Sequence, residues 1–134
     1  MSRALITGAG KRLGRAMALY LADRGYDIAV HYASSQREAE EVADLIRAKG
    51  RMACTVQADL LNETATQALT DSAIAGLGGP LTVLINNASI FEYDTLGTAT
   101  RESWDRHLES NLRAPFVLTQ CFAAQLPGAQ TDAQ

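Results

Sequence analysis

The sequence predicts an α/β fold in which a doubly wound parallel sheet carries helices on both faces. Two observations lead to this prediction: short apolar segments alternate with helical segments, and the links between them are short. A third is the opening stretch, residues 4–14, where an apolar run passes into a glycine-rich loop and then into helical periodicity. Right-handed crossovers then give the strand order 3-2-1-4, with a ligand crevice at the carboxyl ends of strands one and four, where the order reverses.

The opening stretch divides into three parts. Residues 4–6 are predicted to form a buried strand, and residues 7–14 a loop that leads into the first helix. That helix is expected to end near Gly25. Apolar residues recur in it at helical spacing, and we expect them to form its buried stripe: Leu13, Ala16, Met17, Tyr20 and Leu21.

The next elements follow from the same kinds of signal. Further strands are predicted at residues 27–32, 51–57 and 81–86. The two helices between them are capped by Ser34 or Ser35 and by Asn62, and they close at glycines 50 and 78. Their inner faces are predicted to be Ala39, Val42, Ala43 and Ile46, and then Ala65, Leu69, Ala73 and Leu77.

A long helical region is predicted from about residue 101 to residue 125. It contains Pro115, which lacks a backbone donor, so we expect a kink or short break around residues 111–114. The tail, residues 127–134, is small and polar and is expected to fray.

Length and composition restrict the possible functions. With 134 residues and a formal net charge of -3, we expect a single domain spanning 1–134, with no feature that favours nucleic acid. The longest apolar run, Leu81 to Ile85, is too short to span a membrane, and the first strand starts directly, so a cytoplasmic protein is expected. Cys54 and Cys121 lack the spacing of a metal site; buried free thiols and no metal are expected.

The glycine-rich loop has the chemistry of an anion site. The first N–H groups of a helix have no partner inside it, and the helix dipole makes that end positive. Gly8 and Gly10 would let the backbone approach a diphosphate, Gly14 would let the helix pack close on the sheet, and Thr7 is expected to hydrogen-bond locally. The alternative is an ordinary turn with glycines for steric reasons. The predicted contacts of the loop are Gly8, Gly10, Lys11, Arg12 and Leu13.

The end of the second strand bears on which dinucleotide is bound. Sites for NAD place a carboxylate there to bind the ribose 2′-hydroxyl, and residues 31–35 contain none. Ser35 could donate to a 2′-phosphate and Arg12 could supply charge, so NADP is favoured over NAD. The alternative is that Ser34 and Ser35 only cap a helix and that Arg12 is a solvated surface charge.

Other residues near the strand ends are open to two interpretations. Asp59 either accepts a hydrogen bond from the adenine amine or caps a helix. Phe91 either sandwiches a flat heterocycle against a nicotinamide ring or tucks into the core. His31 and His107 have no evident partner in the sequence and are interpreted as structural.

Three motifs occur in order at the ends of strands one, three and four: Thr7-Gly8-x-x-x-Arg12-x-Gly14, Ala58-Asp59-Leu60 and Asn86-Asn87-Ala88-Ser89. Together with Asn111 they resemble the short-chain dehydrogenase/reductase family, whose fold is of the Rossmann type. Several further features are similar to its pteridine reductase branch: Arg12 where glycine is usual, His31-Tyr32 with Ser35, Val56-Gln57 before the second motif, Phe91, and Ala114-Pro115. The resemblance runs from Arg3 to about Ala124.

The branch implies NADPH-dependent reduction of a pterin or folate-like ring. By this resemblance Arg12 contacts both phosphate and the pterin, Ser35 contacts the 2′-phosphate, and Phe91 stacks on the substrate. Asn111 holds the helix kink and a water near the catalytic lysine. Asp59 and Leu60 frame the adenine, Asn87 and Ala88 lie on the ribose side, and Ser89 lies by the nicotinamide and borders the substrate. His31 and Ser34 are further predicted cofactor-binding positions.

The family's catalytic pair, a tyrosine followed four residues later by a lysine, is absent from these residues. The lysines are Lys11 and Lys49, and Thr7 and Leu45 stand four places before them. We therefore expect a sheet truncated before the family's later strands, with strand four as an open edge, and catalysis that requires residues beyond 134. A partial chain or a truncated product is favoured over a half-domain completed by a partner.

The leading hypothesis is an NADPH-dependent short-chain oxidoreductase that transfers a hydride to a C=N or C=O group of a small-molecule substrate. A 3-oxoacyl-carrier-protein-type carbonyl reductase is the alternative enzyme, and a catalytically silent NADP-binding module is the alternative of another class. The resemblance also implies a homo-oligomer, a dimer or tetramer, assembled through the helix of residues 101–125.

Overall fold

The computed structural model describes residues 2–128 as alternating strands and helices. The strands are β1 (Arg3–Ile6), β2 (Asp27–Tyr32), β3 (Ala53–Gln57) and β4 (Val83–Ile85). The helices are α1 (Arg12–Ala22), α2 (Gln36–Ala48), α3 (Glu63–Leu77), α4 (Arg101–Leu108) and α5 (Ala114–Ala124), with a π-helical segment, Glu109–Arg113, between the last two. The second strand lies where the sequence predicts it, the third and fourth are shorter, and residues 129–134 of the predicted tail lie outside the described residues.

The four strands form one parallel sheet in the predicted order β3-β2-β1-β4. Leu5 of β1 pairs with Ala29 of β2 on one side and with Leu84 of β4 on the other. All four carboxyl ends therefore lie at one edge of the sheet. The order reverses between β1 and β4, which is where ligands bind in open sheets of this kind.

Side chains that alternate along β1 and β2 separate two apolar layers. Ala4, Ile6, Ile28 and Val30 pack with α1 and α2 on one face. Leu5 and Ala29 face the other side, where α3 and α5 cover them. The inner faces predicted for α2 and α3 are confirmed, except that Ala65 is only partly buried. This sandwich fixes the strand ends from which the site is built.

The buried stripe predicted for α1 is wrong in part: Met17 and Leu21 are partly buried against the first apolar layer, but Ala16 is exposed. Gly14, Ala18 and Ala22, at i, i+4 and i+8, face the interior, while Leu13 and Tyr20 are exposed. Helix α1 lies so close to the β1–α1 loop that only small residues fit beneath it. The larger apolar side chains flank this contact or point to solvent, where the Arg24 guanidinium stacks on the ring of Tyr20 at 3.4 Å.

The kink predicted near Pro115 is present as a π-helical segment. Pro115 has no N–H to donate to the preceding turn, and the backbone of Glu109–Arg113 widens into π geometry immediately before it. The widened turn changes which residues of this region face the sheet edge. It brings Ser110, a buried residue, to the crevice.

Residues 2–128 include no helix that is long and apolar enough to cross a membrane. Cys54 and Cys121 are free thiols and partly buried. Burial raises the pKa of the Cys54 thiol, against the opposing effect of Arg47.

Candidate functional site

A crevice of about 620 Å³ opens along the carboxyl edge of the sheet. Such a volume lies within the range of small-molecule sites. The crevice gathers thirteen of the predicted site residues: Gly8, Gly10, Lys11, Arg12, Leu13, His31, Ser34, Ser35, Asp59, Leu60, Asn87, Ala88 and Ser89. Phe91 and Asn111 lie outside its lining. The four strand ends therefore meet as the predicted topology requires.

Two glycines let the loop after β1 and the first turn of α1 fold tightly against their neighbours; we call this segment, residues 7–14, the cradle. Gly8 has φ +61°, a left-handed conformation that favours glycine. A Cβ on Gly14 would lie 2.2 Å from the Gly8 carbonyl oxygen, a distance that no side chain can accept. The predicted close packing at Gly14 thus has a direct steric basis, but its neighbours are the Gly8 backbone and the Asn87 side chain, not a strand of the sheet.

Thr7 joins the cradle to the segment that follows β4. Its hydroxyl oxygen accepts hydrogen bonds from the backbone N–H groups of Asn87 and Ala88, both at 2.9 Å. The Asn87 amide in return donates to the carbonyl oxygens of Thr7, at 2.9 Å, and Gly8, at 3.2 Å. The expectation that Thr7 bonds locally is therefore wrong, because its partners are 80 and 81 positions away.

The amino end of α1 is open to an anion. Its N-cap, Lys11, makes no side-chain capping bond, and the first turn contains no acidic residue. Helix α3 differs, because Asn62 caps it by accepting from the N–H of Ala65 and Glu63 follows in its first turn. The first N–H groups of α1 thus remain available to donate hydrogen bonds to a ligand, and the positive end of the helix dipole faces the crevice.

Arg12, the first residue of α1, adds a positive charge at this point. Its φ is +49°, the one positive value among the non-glycine residues that the structure describes. Its exposed guanidinium has no ion pair or hydrogen bond within residues 2–128. The neighbouring Lys11 lies 4.0 Å from Glu38, so its charge is only weakly compensated. A strained, unpaired arginine is typical of a residue kept for a ligand.

The end of β2 contributes two serines and a histidine. Ser35 occupies the N-cap of α2, but its hydroxyl makes no capping bond, and the hydroxyl remains available to a ligand. The His31 ring is buried, with its Nδ1 accepting from the Gly8 N–H at 3.0 Å and its Nε2 bonded to the Ala58 carbonyl at 2.9 Å. Burial lowers the pKa of His31, more than the bond to Ala58 raises it.

The segment after β3 adds Asp59 and Leu60 to the crevice. One oxygen of Asp59 accepts a hydrogen bond from the Leu61 N–H at 2.9 Å, which forms a local turn. Asn62, and not Asp59, caps α3. The helix-cap interpretation of Asp59 is therefore wrong, and the contact with adenine stays a prediction. Leu60 is buried beside it in the second apolar layer.

Residues 89–100, which follow Ala88, lead away from the crevice and contact α4 and the π-helical segment. We call these residues the outer loop. Asn111 holds its start, because the Asn111 side chain accepts from the N–H of Ile90 and donates to the carbonyl of Ile90, both at 2.9 Å. Phe91 is 85% exposed, which excludes the interpretation that it tucks into the core. Its stacking on a substrate stays a prediction.

Ionic and hydrogen-bonding contacts hold the rest of the outer loop on α4. Arg106 donates to Glu92, and this hydrogen bond lowers the pKa of the Glu92 carboxyl. The N–H of Glu92 also donates to Nε2 of His107 at 3.0 Å. Asp94 accepts from the hydroxyls of Ser103 and Thr98, and these bonds lower the pKa of the Asp94 carboxyl. His107, interpreted as structural from the sequence, bridges the loop to the helix.

Sequence reasoning missed several residues of the crevice. Ser110, Leu61 and Ile90 line it beside the predicted set. Ser110 directly precedes Asn111 in the region predicted to kink, so the expected break was the signal that could have revealed it. Leu61 and Ile90 carry no such signal, because apolar residues after a strand are commonly core residues.

The crevice thus combines an open helix amino end, a glycine cradle and an unpaired arginine. The sequence profile of the short chain dehydrogenase family matches residues 2–133. The chain belongs to the short-chain dehydrogenase/reductase family. Its four-stranded sheet of order 3-2-1-4 is the Rossmann-like fold of the family's solved structures.

Individual relatives in the family differ in their named activities. The chain is 36% identical over 123 residues to a 3-oxoacyl-[acyl-carrier-protein] reductase, FabG, of Staphylococcus aureus, covering 92% of this chain and 50% of that protein. The structure of FolM alternative dihydrofolate reductase 1 from Brucella suis, in complex with NADP, matches with a TM-score of 0.89 and 35% identity over 95% of this chain and 52% of that one.

A short chain dehydrogenase from Burkholderia cenocepacia, also in complex with NADP, matches with a TM-score of 0.89 and 37% identity, over 93% of this chain and 51% of that chain. The chain therefore spans about half the length of the relatives that it matches.

Proposed function

We propose that the chain is the cofactor-binding part of an NADPH-dependent short-chain oxidoreductase that reduces a pterin or folate-like ring. The observation that carries this proposal is Arg12, an unpaired cation held at φ +49° beside the open end of α1. A left-handed conformation costs a side-chain-bearing residue about 1 kcal/mol, a cost that glycine avoids. Binding of an anionic ligand by the guanidinium offsets that cost.

The residues of the crevice fit NADP(H). The N–H groups at the start of α1 would bind the diphosphate. Gly8 and Gly14 pack closely against each other and have no side chains, so the backbone can approach the diphosphate. Ser35 and Arg12 would bind the 2′-phosphate, since no carboxylate stands at the end of β2 to repel it. Solved relatives in complex with NADP support the same assignment. When bound, NADPH supplies the hydride for the reduction.

Asp59 and Leu60 would frame the adenine, and Asn87 and Ala88 the adjacent ribose. His31 and Ser34 complete that side of the crevice. Ser89, at the start of the outer loop, would lie near the nicotinamide and the substrate.

A pterin is the favoured substrate because a flat heterocycle suits the exposed ring of Phe91. The structural likeness to a dihydrofolate reductase of the same family supports this choice. The alternative is a 3-oxoacyl-type carbonyl substrate, which the 36% identity to FabG supports. The 134 residues contain no tyrosine four places before a lysine, so the proton donor is assigned to residues outside them. Asn111 would support that donor through its place in the π-helical segment.

The cofactor assignment is tested by titrating the chain with NADPH and NADH. Arg12→Glu is expected to weaken NADPH binding about 10- to 100-fold, because it sets a carboxylate against phosphate. Arg15→Glu makes the same charge change outside the crevice and serves as the control. Ser35→Asp should shift the preference from NADPH towards NADH. Unchanged NADPH affinity in Arg12→Glu would remove the assignment.

The substrate is tested on the complete product of the gene, by following NADPH oxidation with dihydrobiopterin, dihydrofolate and an acetoacetyl thioester. Turnover of either pterin supports the proposal. Turnover of the thioester alone supports the carbonyl reductase. Binding of NADPH without turnover of any of them favours a catalytically silent NADP-binding module.

We also propose that the protein is a homo-oligomer assembled through α4 and α5. Four apolar side chains at i+4 spacing form one exposed stripe along this region: Trp104, Leu108, Leu112 and Phe116. Exposed apolar patches of this kind mark interaction surfaces. Leu112→Asp is expected to reduce the mass measured by light scattering to that of a monomer, whereas Leu96→Asp, in the outer loop, should not. A monomeric wild-type protein would contradict the proposal.

A further inference from the structure

The His31 imidazole joins three segments of the crevice. Its ring is 1% exposed, with Nδ1 at 3.0 Å from the Gly8 backbone nitrogen and Nε2 at 2.9 Å from the Ala58 carbonyl oxygen. Gly8 belongs to the cradle after β1, and Ala58 precedes Asp59 after β3. The His31 side chain, at the end of β2, therefore links the segment after β1 to the segment after β3.

These partners define the protonation state of the ring. Gly8 offers an N–H, so Nδ1 must accept, and Ala58 offers a carbonyl, so Nε2 must carry the proton. A neutral imidazole has one donor and one acceptor, and both are used. The ring thus has no nitrogen left to hydrogen-bond a cofactor, and a second proton would turn Nδ1 into a donor facing the Gly8 N–H.

The backbone supports the same junction. The His31 carbonyl accepts from the Ala9 N–H at 3.0 Å, and the Ala58 N–H donates to the Tyr32 carbonyl at 3.1 Å. These bonds hold the strand ends in register, but they leave the Gly8 N–H to the ring alone. The first peptide of the cradle is therefore held at both ends, by the Asn87 amide at the Thr7 carbonyl and by Nδ1 of His31 at the Gly8 N–H.

We propose that His31 is a positioning residue that, as the neutral Nε2–H tautomer, sets the cradle in the orientation that binds the diphosphate of a dinucleotide. The inference rests on the proposed NADPH binding and deepens it. It assigns to His31 an indirect role: the histidine acts through Gly8 and touches no ligand with its nitrogens.

Two substitutions of His31 test its hydrogen bonds to Gly8 and to Ala58 separately. In His31→Asn the side-chain oxygen lies near the place of Nδ1 and can still accept from Gly8. In His31→Gln the amide reaches towards Ala58 and leaves the Gly8 N–H without its acceptor. We expect NADPH affinity within about threefold of wild type for the first and about tenfold weaker for the second. Thermal unfolding without ligand corrects both values for any loss of folded protein.

A pH series separates positioning from a general structural role. Below the pKa of His31 the wild type loses its Nδ1 acceptor, whereas His31→Asn does not, so wild-type affinity should fall relative to His31→Asn as the pH decreases. Lys11, Arg12, Tyr32 and Asp59 share the crevice, and Glu38 lies by Lys11. These groups and the cofactor phosphates are present in both proteins, so their effects on affinity cancel in the ratio.

A flat ratio, or equal affinities of His31→Gln and His31→Asn, would overturn the inference while leaving NADPH binding intact. A wild type that fails to bind NADPH would instead overturn the proposed function. Nitrogen NMR of the unliganded protein tests the bridge independently of any ligand: the His31 ring should carry its proton on Nε2, and a proton on Nδ1 would refute the positioning role.

Discussion

The two sides of the crevice are built differently. The cradle, residues 7–14, is fixed by Thr7, His31 and Asn87, whose hydrogen bonds reach it from β2 and from the segment after β4. The outer loop, residues 89–100, exposes its large apolar side chains and is attached by polar contacts to α4 and the π-helical segment. The cradle, where a phosphate would bind, is thus held by segments distant in sequence, whereas the outer loop is held by the helices that follow it. The side chains that would meet a variable substrate remain in solvent.

The steric contact inside the cradle gives the largest expected effect. Gly14→Ala places a Cβ 2.2 Å from the Gly8 carbonyl oxygen, so either α1 or the loop must move. We expect the free energy of unfolding, measured with denaturant, to fall by about 3 kcal/mol. Gly97→Ala in the outer loop is the control, because its Cβ would meet only Thr95 Oγ1, at 3.9 Å. Similar losses in the two variants would show that the two sides do not differ in this way.

The hydrogen bonds that join the cradle to the chain after β4 come next. Thr7→Val keeps the shape of the side chain but removes the oxygen that accepts from the N–H groups of Asn87 and Ala88. The partly buried N–H of Ala88 then loses this acceptor, whereas the N–H of Asn87 also donates to the Ile85 carbonyl, so the free energy of unfolding is expected to fall by about 1 to 2 kcal/mol. Thr7→Ser retains the hydroxyl and should lose less than half as much. If valine proves as stable as serine, these bonds contribute nothing to the rigidity of the cradle.

The contrast between the two sides also explains which features could be predicted from the sequence. The order of the sheet and the gathering of residues at its carboxyl edge could be predicted. They follow from the alternation of strands and helices and from glycines whose role is steric. The buried face of α1 was mispredicted because packing distance selects Gly14, Ala18 and Ala22 over larger apolar residues. The partners of Thr7 could not be predicted, since a hydroxyl carries no sign of a contact 80 positions away.

We expect the free energy of unfolding to fall at acidic pH because of His31, which holds the cradle. Burial lowers the pKa of His31 from its ordinary value of 6.5, so the unfolded chain binds a proton at a pH where the folded chain does not. The stabilising contribution is complete above pH 6.5 and is lost as the pH falls from there through the folded-state pKa. Its slope is at most about 1.4 kcal/mol per pH unit. The effect is expected between about pH 7 and 5. In unfolding curves measured over that range, the free energy of unfolding should depend less on pH for His31→Asn than for the wild type. Equal dependence would assign the loss to other groups.

The smallest effect is expected on the outer loop. The Phe91 ring is 85% exposed and buries almost nothing, so Phe91→Ala should change the free energy of unfolding by less than about 0.5 kcal/mol. Phe122→Ala is the matched control, because Phe122 packs against the second apolar layer and its loss should cost about 2 kcal/mol. An exposed aromatic ring without a structural function is a candidate for ligand contact. If Phe91→Ala destabilises the chain as much as Phe122→Ala does, Phe91 is a packing residue, and the outer loop is no less a part of the fold than the cradle.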